Sequence, residues 1–345
     1  MRNRILALCL FAAAAPLSFA GGKPLTCDVV IIGGGPGGLH TAYRLGPTLH
    51  DNVCLFEKET RLGGRIYDVA QTPGGPVYGT GALRVMEGQT VLFNLANELG
   101  ITLVAAGNPG DKVSARGKFG PDSEAVRTAY PQVGSDEFTL YDQLRFGAER
   151  ANAGSYPDLR SYMRKVAGEE GYQFLADVFR FRGDFTYPVS AKAYLEFLDE
   201  EWDVCCTASY PVGGMSAFIN GMEARALKSG VRIFKGEPVI EIDKGFGARY
   251  RISTTNYEVR ANKIVIAAAP EGFKWVGGAV AEQIKAQAQF QDLIGVKVVT
   301  VAQWWPTAWW QTAGITERRA WTTEHCFNAL EIPVNAYAAD QKVTR

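Results

Sequence analysis

The run CDVVIIGGGPGGLHTAYRLG, Cys27 to Gly46, constrains the fold of this chain more than any other segment. An apolar, β-branched stretch leads straight into Gly33, Gly35 and Gly38 at GxGxxG spacing, which reads as strand, tight turn and helix. The glycines differ in physical role. Gly33 lets the chain turn sharply, Gly35 lets the backbone approach a pyrophosphate, and Gly38 lets the helix pack close on the strand. The N-terminus of that helix then offers unpaired N–H groups to phosphates. A second strand, Asn52 to Phe56, ends at Glu57, nineteen residues after Gly38, where an acidic side chain accepts hydrogen bonds from ribose hydroxyls. The glycine motif alone also suits a NAD-dependent dehydrogenase, so the choice of dinucleotide rests on the residues after the second strand.

Those residues are ETRLGGRIYDV, in which Gly63 and Gly64 stand between Arg61 and Arg65. A flexible glycine pair flanked by two guanidinium groups suits a doubly anionic bridge. The run closely resembles the RxGGR segment that comes after the second strand in the flavin amine oxidase superfamily, the monoamine, polyamine and L-amino acid oxidases. Further matches keep the order of that family: YPVGGMSAFINGMEARALKSG resembles its PxGGM loop and helix, and VRIFKGEPVIEIDKGFGARYRISTTNYEVRANKIVIAAAP alternates apolar and polar residues as a β-meander does. A NAD enzyme explains the first motif but not these.

The resemblance implies an α/β chain, a Rossmann-like FAD-binding domain with an inserted α+β substrate and helical domain. Beyond a leader at 1–20, which the N-terminal residues themselves suggest, it divides the sequence into the first part of the FAD-binding domain (26–90), a helical and substrate domain (91–225), the second FAD-binding part (226–300) and an incomplete substrate domain (301–345). It assigns cofactor contacts to Gly33, Gly35, Gly37, Gly38, Glu57, Arg65, Gly81, Ala82, Leu83, Arg84 and Val239, with Val239 beside the adenine and the strand from Ile264 to Ala268 returning to the nucleotide-binding sheet. Arg84, in YGTGALRVM, matches the arginine that binds the substrate carboxylate in L-amino acid oxidases. A guanidinium grips a carboxylate through two parallel hydrogen bonds, which favours an amino acid over a simple amine.

Lys297 is the candidate for chemistry. In LIGVKVVTVAQWW a period of two sets it on the face of Gly295, Val299 and Val301, opposite Ile294, Val296 and Val298. A lone ammonium between apolar faces is costly unless it meets a partner or water. By resemblance it is the lysine that hydrogen-bonds through a water to the flavin N5 and assists reoxidation by oxygen. The tryptophans of WWPTAWW read as core or interface packing, and His40 as a helix residue.

Between these motifs, Tyr141 to Glu201 shows helical apolar spacing, whereas Gly107 to Ser135, rich in Gly, Pro, Ser and charge, reads as a loop. The 36 basic and 36 acidic residues leave no surplus charge for a nucleic acid or an anionic bilayer. Arg2 and Arg4, an apolar run from Ile5 to Ala15, and Ser18-Phe19-Ala20 form a signal-peptide pattern, too short to span a bilayer, so a secreted or periplasmic protein is expected. Five cysteines remain beyond it; without CxxC or clustered histidine they read as packed or free thiols rather than a metal set.

The expected activity is FAD-dependent oxidative deamination of an amino acid or related amine, with hydride transfer to the flavin and reoxidation by O2 to H2O2; self-association is left open. Members of the resembled family continue well beyond this length, and the cysteine that tethers flavin in monoamine oxidases belongs to that later section. Noncovalent FAD is therefore expected, and the alternative is a truncated remnant with weak FAD binding or none.

Overall fold

The computed structural model describes residues 22–70, 77–105, 111–179, 182–202 and 207–301, then 303, 305, 307, 309–312, 319–323 and 329–332. β1 (Lys23–Ile32) runs into α1 (Pro36–Leu49), which returns to β2 (Val53–Glu57). All five residues of β2 are buried, as a strand covered on both faces requires. A short hairpin, β3 (Asp68–Ala70) and β4 (Val77–Gly79), precedes β5 (Val85–Met86), α2 (Thr90–Leu99) and β6 (Leu103–Ala105). Next come β7 (Asp111–Ala115), β8 (Lys118–Gly120), α3 (Ser123–Arg127), α4 (Glu137–Phe146), α5 (Leu159–Val178), α6 (Gly183–Thr186) and α7 (Ala191–Trp202). β9 (Ala208–Pro211) and α8 (Ser216–Lys228) lead into β10 (Arg232–Lys235), β11 (Val239–Lys244), β12 (Tyr250–Thr254) and β13 (Tyr257–Ile266). α9 (Pro270–Phe273), α10 (Ala279–Lys285), β14 (Arg319–Thr323) and β15 (Ala329–Ile332) come last.

The principal sheet has six strands in the order β10-β2-β1-β13-β12-β11. Its first four are parallel, and β13, β12 and β11 form an antiparallel meander. The period of two along β1 explains both covered faces. Val29 and Ile31 pack with Leu39 and Ala42 of α1 and with Phe218, Ile219 and Met222 of α8, while Val30 and Ile32 pack with Ile242, Ile252 and Val259 of the meander and Phe273 beyond it. This is a Rossmann-like α/β unit whose sheet draws on two separated stretches of sequence, joined where β1 pairs with both β2 and β13. The helices between those stretches have their own core, which includes Leu140, Leu144, Tyr162, Phe174, Phe185 and Leu195.

Four expectations are corrected. Residues 107–135 are not a loop throughout: β7 and β8 pair as a hairpin, and Val113, Ala115, Val126, Tyr130 and Val133 are buried in the helical core. Such short strands bury only alternate residues, so their signal is lost among the glycines and charges around them.

The run around Lys297 forms no strand. Residues 293–300 are without regular structure, and Lys297 is exposed together with Ile294, Val298 and Val299. A β-branched run becomes a strand only when another strand faces its N–H and C=O groups, and no described strand pairs with this one. With its ammonium in solvent, the burial cost that singled out Lys297 does not arise. Trp305 and Trp309 are 53% and 42% exposed and meet edge-to-face, so they are not core either.

Cys27 and Cys54, expected as thiols, form a disulfide. They are 27 residues apart in sequence but lie on adjacent parallel strands, with Cα atoms 6.0 Å apart and both side chains buried. Pairing of this kind is set by strand register, which cysteine spacing does not reveal. Cys205, Cys206 and Cys326, like the expected leader at 1–20, lie outside the described residues. Among the described residues, no helix is long and apolar enough to cross a membrane.

Candidate cofactor-binding site

The turn between β1 and α1 is built by glycines whose roles now separate. Gly33 has φ +104° and donates its N–H to Phe56 O at 2.8 Å, tying the end of β1 to β2. A Cβ on Gly38 would overlap the carbonyl oxygen of Gly33, so the helix sits on the strand end at a distance only glycine allows. A Cβ on Gly34 would collide with the Leu62 side chain. Gly35 and Gly37 differ, since a Cβ on either would meet, beyond its own neighbours and helix backbone, no atom of the described residues within 4 Å. Packing within the protein therefore demands glycine at 33, 34 and 38, while 35 and 37 face outward at the start of α1. Pro36 is the first residue of that helix and its N-cap Gly35 supplies no side-chain cap, so the N–H groups of the first turn remain available to a ligand.

Glu57 ends β2 beside this turn and is 7% exposed. Its two carboxylate oxygens accept from the main-chain N–H of Gly34 at 2.6 Å and of Glu59 at 2.9 Å. The RLGGR loop docks on the same turn. Gly63 N–H donates to Gly34 O at 2.9 Å, and a Cβ on Gly64 would stand 3.3 Å from the Gly35 Cα. The glycine pair thus serves close approach between two backbone segments, with φ +105° at Gly63 and +52° at Gly64.

The two arginines of the loop divide their work. Arg61 spends its guanidinium on the carbonyls of Leu62, Gly64 and Ile66, at 3.2, 3.0 and 3.3 Å, and lies over the Tyr67 ring. It shapes the loop rather than presenting charge to a phosphate. Arg65 is exposed and makes no hydrogen bond or ion pair with a described side chain, so it is the cation the loop offers outward.

The YGTGALR passage closes on the same place. Ala82 N–H donates to Arg65 O at 3.2 Å, and a Cβ on Gly81 would overlap that carbonyl. Leu83 and Arg84 come next, half-buried, immediately before Val85 pairs with Ser209 of β9. Arg84 has no carboxylate partner among the described residues. Val239 opens β11 and is reached from Glu57 by a short path, since Glu237 N–H donates to Glu57 O at 2.9 Å. Gly33, Gly35, Gly37, Gly38, Glu57, Arg65, Gly81, Ala82, Leu83, Arg84 and Val239 therefore belong to one connected set of segments. Among the described residues, Lys297 makes no hydrogen bond or ion pair that joins it to them.

Two carboxylates that sequence reading passed over hold the set together. Asp68 accepts from the Ser216 N–H at 2.6 Å, capping α8 from β3 and so linking the RLGGR loop to the PVGGM loop. Burial pushes its carboxyl above the usual range, and the bonds from Ser216 oppose that shift. Glu237 is 5% exposed and accepts from Thr254 Oγ1, Asn256 N–H and Asn256 Nδ2, each at 2.6 Å. Burial opposes its ionisation, but these donors outweigh burial and hold its carboxyl below the usual range. Neither acid lies in a recognisable motif; the only sequence signal is an acid beside a glycine-rich turn.

Against known proteins, the profile described as flavin containing amine oxidoreductase matches residues 36–343. Flavin-containing amine oxidase B of Rattus norvegicus is 25% identical over 270 residues, 71% of this chain and 50% of that protein. The FAD-dependent oxidoreductase dpasF of Apiospora sacchari is 28% identical over 304 residues, 78% of this chain and 62% of that protein. The chain thus spans about half to three-fifths of the length of these curated relatives. Putrescine oxidase bound to putrescine is similar in structure, with a TM-score of 0.56 at 18% identity over 74% of this chain and 61% of that one. A double mutant of the same oxidase gives 0.59 at 17% identity over 90% and 75%. At these identities the structural likeness speaks for the fold alone.

Proposed function

The chain belongs to the flavin containing amine oxidoreductase family, and from that premise we propose that it carries out FAD-dependent oxidative deamination of an amino acid or a related amine. The observation that carries the proposal is the docking of the RLGGR loop on the glycine turn, through Gly63 N–H and Gly34 O. It sets an outward-facing cation, Arg65, near the free N–H groups of a helix start. That combination suits a diphosphate. The fit is supported by Gly35 and Gly37, where a Cβ would meet no packed atom of the described residues, so their lack of one serves the approach of something else. Glu57 would take the ribose, Gly81 to Leu83 would line the cofactor beside Arg65, and Val239 would flank the adenine.

When bound, the flavin supplies a two-electron acceptor that takes a hydride from the substrate α-carbon and returns the electrons to oxygen, giving hydrogen peroxide. The residues of the chain bind and orient. Arg84, half-buried and without a carboxylate partner among the described residues, would hold a substrate carboxylate in two parallel hydrogen bonds. That contact orients the α-carbon and separates an amino acid from a simple amine. Lys297, by its resemblance to the family lysine, would hold the water that serves reoxidation.

The Cys27–Cys54 disulfide and the leader pattern at 1–20 together support export to an oxidising compartment. Titration of the purified chain with FAD tests the cofactor, and anaerobic addition of amino acids and amines tests the reaction. The expected result is visible flavin absorbance retained through gel filtration and bleached by substrate. A chain that stays colourless in excess FAD overturns the proposal.

A further inference from the structure

A cavity of about 330 Å³ lies between α6, α7 and residues 292–296, away from the glycine turn. It falls at the lower end of the size that small-molecule sites occupy. Val189, Phe197, Ile294 and Val296 give it apolar walls, and the 292–296 segment is seated against α6, where a Cβ on Gly183 would stand 2.9 Å from the Val296 side chain.

Two carboxylates on this lining have no partner among the described residues, and neither has the Tyr194 hydroxyl enclosed behind it. Tyr194 is 6% exposed, yet its hydroxyl finds no hydrogen bond. Asp184 is half-buried and Asp292 exposed at the rim; neither carboxylate forms a hydrogen bond or ion pair with any described residue. An unpaired carboxylate beside apolar walls is costly unless a ligand completes it. Burial accordingly raises the Asp184 carboxyl above its usual range, and burial together with the nearby Asp184 raises the Tyr194 hydroxyl.

The missing partner has a definable chemistry. It is cationic, because two carboxylates line the cavity and no basic side chain does among the described residues. It donates hydrogen bonds in more than one direction, because the acceptors come from α6 and the 292–296 segment. It carries an apolar portion, because the rest of the wall, Ser190 apart, is aliphatic and aromatic. A hard metal ion, which seeks six or more oxygens, fits such walls poorly, whereas an ammonium also gains from the Tyr194 and Phe197 rings.

We propose that this cavity binds an organic ammonium on a short apolar chain, held by the Asp184 and Asp292 carboxylates beside the Tyr194 and Phe197 rings, and that it receives the cationic form of the amine substrate. The first part stands without a flavin; the second rests on amine oxidation as the activity. The lining ends at Val296, one residue before Lys297. An amine is oxidised as the neutral base but arrives protonated at neutral pH, so a site for the ammonium concentrates it before it gives up its proton.

The test uses the full chain without added flavin and compares n-butylammonium with n-butanol by titration calorimetry. Expected is saturable binding of the ammonium, at least tenfold tighter than the alcohol. Asp184→Asn and Asp292→Asn should each weaken it, Asp184→Asn by tenfold or more. Asp292 is exposed, so its variant separates lost binding from lost folding. Equal affinity for alcohol and ammonium, or no change in both aspartate variants, overturns the site. With FAD bound, the same aspartate variants should raise KM for the amine and leave kcat nearly unchanged. Ammonium binding without flavin reduction would uphold the site and remove the oxidation reading; flavin reduction with unaltered KM in both variants would do the reverse.

Discussion

The main-chain N–H of Gly34 donates to the Glu57 carboxylate across 2.6 Å, and this bond fixes the acidic end of β2 against the turn that ends β1. Glu57 therefore has a structural role before any ligand arrives, with its other oxygen taken up by Glu59 N–H. Removing the acceptor leaves two main-chain donors poorly satisfied in a largely buried place. Glu57→Ala should lose about 2–3 kcal/mol of stability in urea unfolding and weaken FAD at least tenfold in a binding titration. Unchanged FAD affinity in a folded Glu57→Ala would remove the carboxylate from the ribose site.

Glycines of the same motif should fail in opposite ways. At Gly38 a methyl group overlaps the carbonyl of Gly33, so Gly38→Ala should lower stability by about 1–3 kcal/mol or more as helix and strand are forced apart. At Gly35 the backbone is extended, with φ −67° and ψ 179°, and a methyl group meets no packed atom of the described residues. Gly35→Ala should keep the thermal midpoint within a degree or two of the parent and still bind FAD more weakly. Equal losses of stability in the two variants would contradict the division of roles.

This division also marks how far the sequence could be read. The strand–turn–helix, Glu57 and the RLGGR loop were legible because each couples a local backbone requirement to a residue type at fixed spacing. The separate roles of Arg61 and Arg65 were not, since both are arginines beside glycine and only the folded loop shows whose guanidinium is turned back on carbonyls. Asp68 and Glu237 were hidden for a related reason: their partners, Ser216 and Thr254 with Asn256, are distant in sequence or set by a β-turn. At Lys297 a β-branched run gave the strand signal, but strand formation depends on a partner edge that residue pattern does not report. The Cys27–Cys54 bond likewise arises from the register of β1 on β2.

Glu237 makes stability depend on pH. Its carboxyl lies below the usual value of 4.5 because its three hydrogen bonds outweigh burial, so the ionised form is bound more strongly by the fold than by the unfolded chain. The stabilisation is present above the unfolded value and is lost as pH falls through the folded one. In Glu237→Gln the amide NH2 would face the donors of Asn256. The variant should be less stable than the parent by about 1–3 kcal/mol at pH 7, and the gap should close in unfolding experiments run below the ordinary carboxylate range. A gap independent of pH would show that shape, not charge, holds this turn.

Lys297 stands in solvent and in no strand, so its proposed part in reoxidation separates cleanly from folding. Lys297→Met should leave the thermal midpoint and FAD binding unchanged, while slowing the oxygen half-reaction by tenfold or more in stopped-flow reoxidation of the substrate-reduced protein. Reoxidation at the parent rate would remove the lysine from the mechanism.

Arg84 decides between substrate classes. A half-buried guanidinium without a carboxylate partner among the described residues is either left for a ligand or costly to the fold, and the two cases differ in what its loss does. If it receives the substrate carboxylate, Arg84→Met removes a charge-assisted hydrogen-bonded pair worth about 1.5–3 kcal/mol. KM for an amino acid should then rise roughly ten- to a hundredfold, while the decarboxylated amine, which has nothing to offer the guanidinium, should be oxidised as before or better. Amino acid and amine losing activity in the same proportion would assign Arg84 to the cofactor or to packing, and the substrate would then be a simple amine.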